Sequence, residues 1–110
     1  MIHMLSRFDL KANVRIEQFG AGYWNLVEHM KTEGLVEGSG KIGRREKNTP
    51  MDTDEERAPE YYVVMLFKDR KQLDDAYAYL SASDAKNLRS HKVVQTSILN
   101  PVFTCWRDVE

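Results

Sequence analysis

Cysteine and proline are scarce in this chain of 110 residues, and a long apolar run is missing. The single cysteine, Cys105, excludes an intrachain disulfide, so a reducing cytoplasm is the expected compartment. No apolar run approaches the ~20 residues of a membrane-spanning helix, and the N-terminus lacks the pattern of a signal peptide. With 16 basic and 17 acidic residues the charge is nearly balanced, so neither nucleic acid nor a membrane is an expected partner.

Common motifs of catalysis and cofactor binding are also absent. The sequence contains no GxGxxG, P-loop, GxSxG or CxxC. Its three histidines, His3, His29 and His91, do not show the spacing of metal ligands such as HExxH. We therefore expect no metal and no cofactor, and motifs alone do not decide whether the protein is an enzyme.

Hydrophobic periodicity predicts the order strand, helix, strand, strand, helix, strand. The predicted strands span residues 2–10, 35–47, 60–69 and 102–109. The first helix is predicted over 13–33, with Asn13 as N-cap. The second follows Asp69, where Gln72 completes a capping-box pattern, and a further helix restarts near Asp84. Residues 48–60 carry two prolines and many charges, which predicts a mobile polar loop.

The strand at 60–69, EYYVVMLFKD, is apolar on both faces. The element order is that of the ferredoxin-like fold, in which right-handed crossovers place the helices on one face of an antiparallel sheet. The other apolar face needs a cover, and the simplest one is the same face of a second copy related by two-fold symmetry. The prediction is a single domain over residues 1–110, an α+β ferredoxin-like βαββαβ sandwich that forms a homodimeric α+β barrel.

Short motifs along nearly the whole chain resemble a small bacterial family of unknown function in the dimeric α+β barrel superfamily. They are FDLK at 8–11, GLVEG at 34–38, GRREK at 43–47, KQLDDAY at 71–77, and NPVF and WRD near the end. That superfamily includes cofactor-independent monooxygenases, muconolactone isomerase-like enzymes, haem-handling members and stress-responsive proteins. The resemblance implies the fold and a dimer, and it implies no single reaction because functions vary on a shared fold.

The polar side of the first strand carries the main candidate residues. If Ile2 and Phe8 face the helices, then His3 and Arg7 face the barrel interior. His3 would serve there as a general acid or base, and Arg7 would bind a carboxylate through two parallel hydrogen bonds. The alternative is that Arg7 pairs with a carboxylate at the dimer seam while His3 is exposed near the N-terminus.

Three further residues complete the candidate set. His91, in or after the last helix, is a second possible acid or base, although a structural role in the helix is favoured. Tyr62 and Trp106, on the third and fourth predicted strands, are candidates to line an apolar pocket together with Arg7, with a role in the core as the alternative. The basic residues of 41–47 would either attract an anion or pair with the acidic loop, and pairing is favoured.

Three functions follow from these observations. The first is an uncharacterised homodimer that binds a small apolar or aromatic molecule in a pocket between sheet and helices. The second is a cofactor-independent monooxygenase or isomerase acting on a small aromatic or lactone substrate, with His3 or His91 as the base. The third is a structural or stress-responsive dimer with no ligand. A well-formed cavity with convergent polar groups would separate the first two from the third.

Overall fold

An antiparallel sheet of five strands packs against three helices in the computed structural model, which describes residues 1–82 and 89–110. The elements are β1 (Ile2–Leu10), α1 (Ile16–Thr32), β2 (Gly38–Ser39), β3 (Gly43–Arg44), β4 (Tyr61–Phe67), α2 (Arg70–Ser81), α3 (Arg89–Ser97) and β5 (Ile98–Arg107). The sheet order is β2-β4-β1-β5, and β3 also pairs with β4. The α+β ferredoxin-like fold is confirmed. The helix start predicted near Asp84 lies outside the described residues.

The alternation of β1 defines the two faces of the sheet. Ile2, Ser6 and Phe8 are buried on the face that the helices cover, which we call the inner face. His3 and Arg7 are half-buried on the opposite, outer face. This division follows from the two-residue period of a strand, and it agrees with the sequence prediction.

The strand β4 shows the same division between its two faces. Its inner residues Val63, Met65 and Phe67 are buried in the core, whereas Val64 is only partly buried on the outer face. Tyr62, also on the outer face, is 42% exposed. Within one chain, therefore, the helices cover only one of the two apolar faces of this strand.

The helix α1 begins later than predicted. Asn13 is not the N-cap, because the Val14 N–H donates to the Lys11 carbonyl in a turn that precedes the helix. Arg15 is the N-cap residue, and its backbone N–H donates to the Gln18 side chain. The predicted apolar stripe is confirmed by its buried residues, which are Phe19, Tyr23, Leu26, Val27 and Met30.

The second predicted strand is much shorter than residues 35–47. Only the two-residue strands β2 and β3 form, and both pair with β4. Gly38 on β2 lies at φ 157°, a backbone conformation that residues with a side chain rarely adopt. At Gly43 a Cβ would lie 2.0 Å from the Tyr62 ring, so any larger residue there would have to displace that partly exposed ring.

The last strand is longer than predicted, because it begins at Ile98 and passes through Pro101. Proline is tolerated because β5 is an edge strand and Pro101 lies where the β1–β5 register shifts, so no described residue of β1 is paired with it. The edge position also leaves β5 accessible on both faces. Phe103 on the inner face is 55% exposed and Trp106 on the outer face is 62% exposed.

The helix α2 starts where its capping pattern predicts. The Asp69 carboxylate accepts a hydrogen bond of 2.9 Å from the Gln72 backbone N–H. The Gln72 side chain accepts one from the Lys68 N–H, one residue before the N-cap. Ala76 on this helix is buried, whereas the next residue, Tyr77, is 75% exposed. Within the described ranges no helix is both long and apolar enough to span a membrane.

Candidate functional site

A cavity of about 650 Å³ lies between the inner face of the sheet and the helices. Side chains from β1, β4, β5 and all three described helices line it, and most of them are apolar. Phe8 and Phe19 form one wall with their ring centroids 4.8 Å apart. The volume is in the range that holds small organic molecules, which bind in mostly apolar sites with a few polar groups.

The cavity opens along the edge strand β5. On the inner face Phe103 is the cross-strand neighbour of Ser6, and Cys105 is the neighbour of Met4. Phe103 and Cys105 line the cavity, and both are also exposed to solvent. Among the described residues, the helices thus cover β1 and β4 more fully than β5, and the cavity is open on that side.

Few polar groups border this apolar space. His91 on α3 is 7% exposed, and its Nδ1 has no hydrogen-bond partner among residues 1–82 and 89–110. Burying such a nitrogen without a partner costs about 1–3 kcal/mol, which is a typical sign of a ligand-facing or otherwise functional group. Ser6, 6% exposed, is the polar member of the otherwise apolar inner side of β1.

Tyr23 on α1 also lines the cavity, but its hydroxyl is already bonded. The Tyr23 and Ser39 hydroxyl oxygens lie 2.6 Å apart, which joins the helix to β2. Burial raises the pKa of Tyr23, and the hydrogen bond with Ser39 offsets this only in part. Tyr23 therefore remains a neutral phenol at physiological pH and serves as a structural wall of the cavity.

A second concave region, of about 620 Å³, lies on the outer face beneath the loop of residues 48–60. Arg45 organises this loop, because its guanidinium donates two hydrogen bonds to the Asp52 carboxylate at 2.7 and 2.6 Å. It also donates to the backbone carbonyls of Asp54 and Arg57. The expected pairing of the basic stretch with the acidic loop is confirmed, and the region is charge-balanced. Mobility of the loop stays a prediction.

The Asp54 carboxylate is expected to titrate far below the ordinary range. A hydrogen bond from the Arg57 side chain lowers its pKa from 3.8 to about 2, with help from the backbone N–H groups of Glu56 and Arg57. Because the folded-state pKa is depressed, the contact stabilises the loop above the ordinary carboxyl range and is lost as the pH falls through about 2. Carboxyl-detected NMR titration measures this value directly.

In the same titration the variant Arg57→Gln is expected to raise the Asp54 pKa part of the way towards 3.8, since the backbone donors remain. The control Arg70→Gln breaks a separate ion pair, with Asp74 on α2, and should leave Asp54 unchanged. An Asp54 carboxyl that titrates near 3.8 in the unmodified protein would contradict the ion-pair geometry.

The sequence-predicted site residues do not form one group. Arg7 and Tyr62 are cross-strand neighbours that line the outer concave region, and Arg7 Nη1 lies 3.8 Å from Asp54 Oδ2. His3 and Trp106 are paired four residues further along β1, which is about 13 Å away. The Trp106 indole N–H donates to the Thr104 hydroxyl, and Trp106 borders neither concave region.

His3 lies near the N-terminus and contacts an acidic residue. Its Nε2 is 2.7 Å from Asp108 Oδ1, and the side chains of both are more than a third exposed. This hydrogen bond is the main reason why the pKa of Asp108 is lowered. His3 thus lies near the N-terminus, as in the alternative considered for it, but it is half-buried and not fully exposed.

Of the predicted site residues, His91 borders the cavity between sheet and helices. Arg7, Tyr62 and Trp106, the predicted ligand-binding residues, occupy the outer face instead, because they alternate with the inner residues of their strands. Sequence reasoning missed Ser6 as a cavity residue, although its place within an apolar stripe was a usable signal. Within residues 1–82 and 89–110, no three His, Cys, Asp or Glu side chains gather as a metal site.

Comparison with known proteins identifies a family and a fold. A family model described as a family of unknown function (DUF6614) matches residues 1–110. No significant match to a curated protein is found.

Several solved structures share the fold at low sequence identity. A protein from Arabidopsis thaliana has a TM-score of 0.71 at 12% identity, over 100% of this chain and 97% of that one. A dimeric ferredoxin-like protein of unknown function from Jannaschia sp. CCS1 has a TM-score of 0.65 at 12% identity, over 97% and 98%. SnoaB, a cofactor-independent oxygenase from Streptomyces nogalater, has a TM-score of 0.60 at 11% identity, over 99% and 93%.

Proposed function

The chain belongs to the DUF6614 family of unknown function, and on that premise we propose that it is a homodimer that binds a small apolar or aromatic molecule between its sheet and its helices. The cavity carries this proposal. It is large enough for a small aromatic compound, it is mostly apolar, and it has an opening along β5. Each Å² of apolar surface that a ligand and the wall remove from water contributes about 25 cal/mol.

The outer face of the sheet supports the dimer. Leu5, Val64 and Leu66 are only half-buried there, and the aromatic residues Tyr62 and Trp106 are exposed. An apolar sheet face of this kind is typical of a surface that a second copy covers. The dimeric protein from Jannaschia sp. CCS1, which has a similar fold, is consistent with this arrangement.

A second candidate function is cofactor-independent oxygenation or isomerisation of the bound molecule. The observation that favours it is His91, a buried imidazole at the cavity that is able to accept a proton from a bound acidic compound. SnoaB, a cofactor-independent oxygenase, has a similar fold, and this supports the second candidate function. A purely structural dimer is less well supported, because it does not account for an accessible apolar cavity.

Calorimetric titration of the purified protein with 2-naphthol tests ligand binding. We expect one molecule to bind per chain. Cys105 lies exposed at the cavity opening, so Cys105→Trp should obstruct entry and weaken binding at least tenfold. The control Lys71→Trp adds the same side chain at an exposed position of α2 and should bind as the unmodified protein does. Absence of binding, or equal binding by Cys105→Trp, would refute the proposal.

A further inference from the structure

The polar groups of the cavity restrict its ligand, and this inference rests on the proposed function. We infer that Ser6 and His91 are the polar anchors of the cavity, and that the ligand is a neutral aromatic or apolar molecule with a hydroxyl group. Both residues border the same space, Ser6 from β1 in the sheet and His91 from α3 above it. Tyr77 and Gln95 also border the cavity from the helices, but both are exposed, so Ser6 and His91 are the buried hydrogen-bonding groups that face a ligand from the two sides.

His91 is the polar anchor on the helix side of the cavity. It is 93% buried, since only 7% of its surface is exposed, and its Nδ1 has no partner among the described residues. Buried polar atoms in proteins are nearly always hydrogen-bonded, so the lone nitrogen of a side chain that lines the cavity points to a partner that the described residues do not supply. A ligand hydroxyl suits this nitrogen in either tautomer, because a hydroxyl both donates and accepts.

Ser6 is the polar anchor on the sheet side of the cavity. The inner side of β1 is otherwise apolar, with Met4 and Phe8 as its neighbours on that face, and Ser6 is opposite Val63 and Phe103 on the adjacent strands. A hydroxyl among these side chains has no evident role in packing the core. It does present a donor and an acceptor on the sheet wall of the cavity, which a ligand hydroxyl is able to use.

The charged residues that border the cavity restrict the charge of its ligand. Among its described lining residues the carboxylate is Asp74, which is 56% exposed and already paired with Arg70 at 2.9 Å. No Lys or Arg of the described chain lines the cavity. Among the described residues, a ligand carboxylate or phosphate would thus be buried with no permanently charged Lys or Arg beside it, which is costly. The cavity accordingly favours a neutral phenol or alcohol over an acid.

A matched series of ligands tests this inference on the unmodified protein. Naphthalene, 2-naphthol and 2-naphthoate share one ring system and differ in the polar group. We expect 2-naphthol to bind about tenfold more tightly than naphthalene, which corresponds to about 1.4 kcal/mol for one net hydrogen bond. We expect 2-naphthoate to bind more weakly than 2-naphthol. Equal binding of naphthalene and 2-naphthol, or preference for 2-naphthoate, would overturn the inference.

Two substitutions assign the anchors. Ser6→Ala and His91→Phe should each reduce the preference for 2-naphthol over naphthalene, while binding of naphthalene itself persists. A preference unchanged in both variants would overturn the assignment. If naphthalene binds and the preference is missing, the proposed apolar site stands and the anchors are wrong. If none of the three compounds binds, the proposed function fails together with the inference. The ligand series needs no variant, so it remains decisive if a substitution prevents folding.

Discussion

Replacing Val64 with aspartate is expected to yield a folded monomer. Val64 lies on the outer face of β4, opposite Leu5 on β1, near the middle of the surface that we propose a second copy covers. Its backbone carbonyl accepts a hydrogen bond from Gly40 at 2.9 Å, and the substitution does not alter this backbone contact. In a monomer the new carboxylate would face water, whereas in a dimer it would be buried without a partner.

The expected effect is large because two-fold symmetry introduces the change twice. Burying unpaired carboxylates should raise the dimer dissociation constant at least about a hundredfold, or about 2.7 kcal/mol. Sedimentation velocity over a range of micromolar concentrations measures this constant, and circular dichroism verifies the fold. The control Val64→Thr keeps the branched shape without a charge and should remain dimeric. A monomeric unmodified protein, or a Val64→Asp variant that stays dimeric, would contradict the proposed interface.

Replacing Phe19 with alanine is expected to destabilise the folded chain strongly. Phe19 is 1% exposed, and its ring lies between Phe8 and Tyr23, with centroid distances of 4.8 and 5.9 Å. Removing a buried phenylalanine ring costs about 3–5 kcal/mol, through lost burial and the cavity that remains. We expect about 3 kcal/mol, because Phe19 borders an existing cavity and has fewer contacts on that side.

Chemical denaturation at one fixed protein concentration measures this loss, since the stability of a dimer depends on concentration. The control Tyr77→Ala removes an aromatic ring that is 75% exposed and should change the free energy of unfolding by about 0.5 kcal/mol or less. A loss below about 1 kcal/mol for Phe19→Ala would show that this ring is not a central part of the core.

The fold was predictable where local patterns are strong. The alternation of β1, the apolar stripe of α1 and the Asp69 cap of α2 each indicate an element through a short-range rule. Predictions failed where neighbours in space decide the outcome. The strand predicted over 35–47 forms only as two short segments, and at Gly43 the Tyr62 ring lies close to the backbone. Pro101 remains within a strand because β5 lies at the edge of the sheet.

The candidate site was less predictable than the fold. The sequence predicted Arg7 and Tyr62 as ligand-binding residues because a charged and an aromatic side chain are able to contact a ligand. The two residues are neighbours on the outer face. The larger apolar cavity lies on the inner face, where Ser6 and His91 come from elements far apart in the chain. The chemistry of a single residue does not show which face of the sheet is left with a cavity.

By itself, the sequence determined the element types, the two-sided character of β4 and, through the element order, a ferredoxin-like sheet with helices on one face. These properties depend on residues that are adjacent or one helical turn apart, so periodicity is sufficient to reveal them. Only the tertiary structure decided that the helices leave β5 open, that a cavity remains there, and that His91 borders it. Those properties depend on how closely whole elements pack, and packing is set by all contacting side chains together.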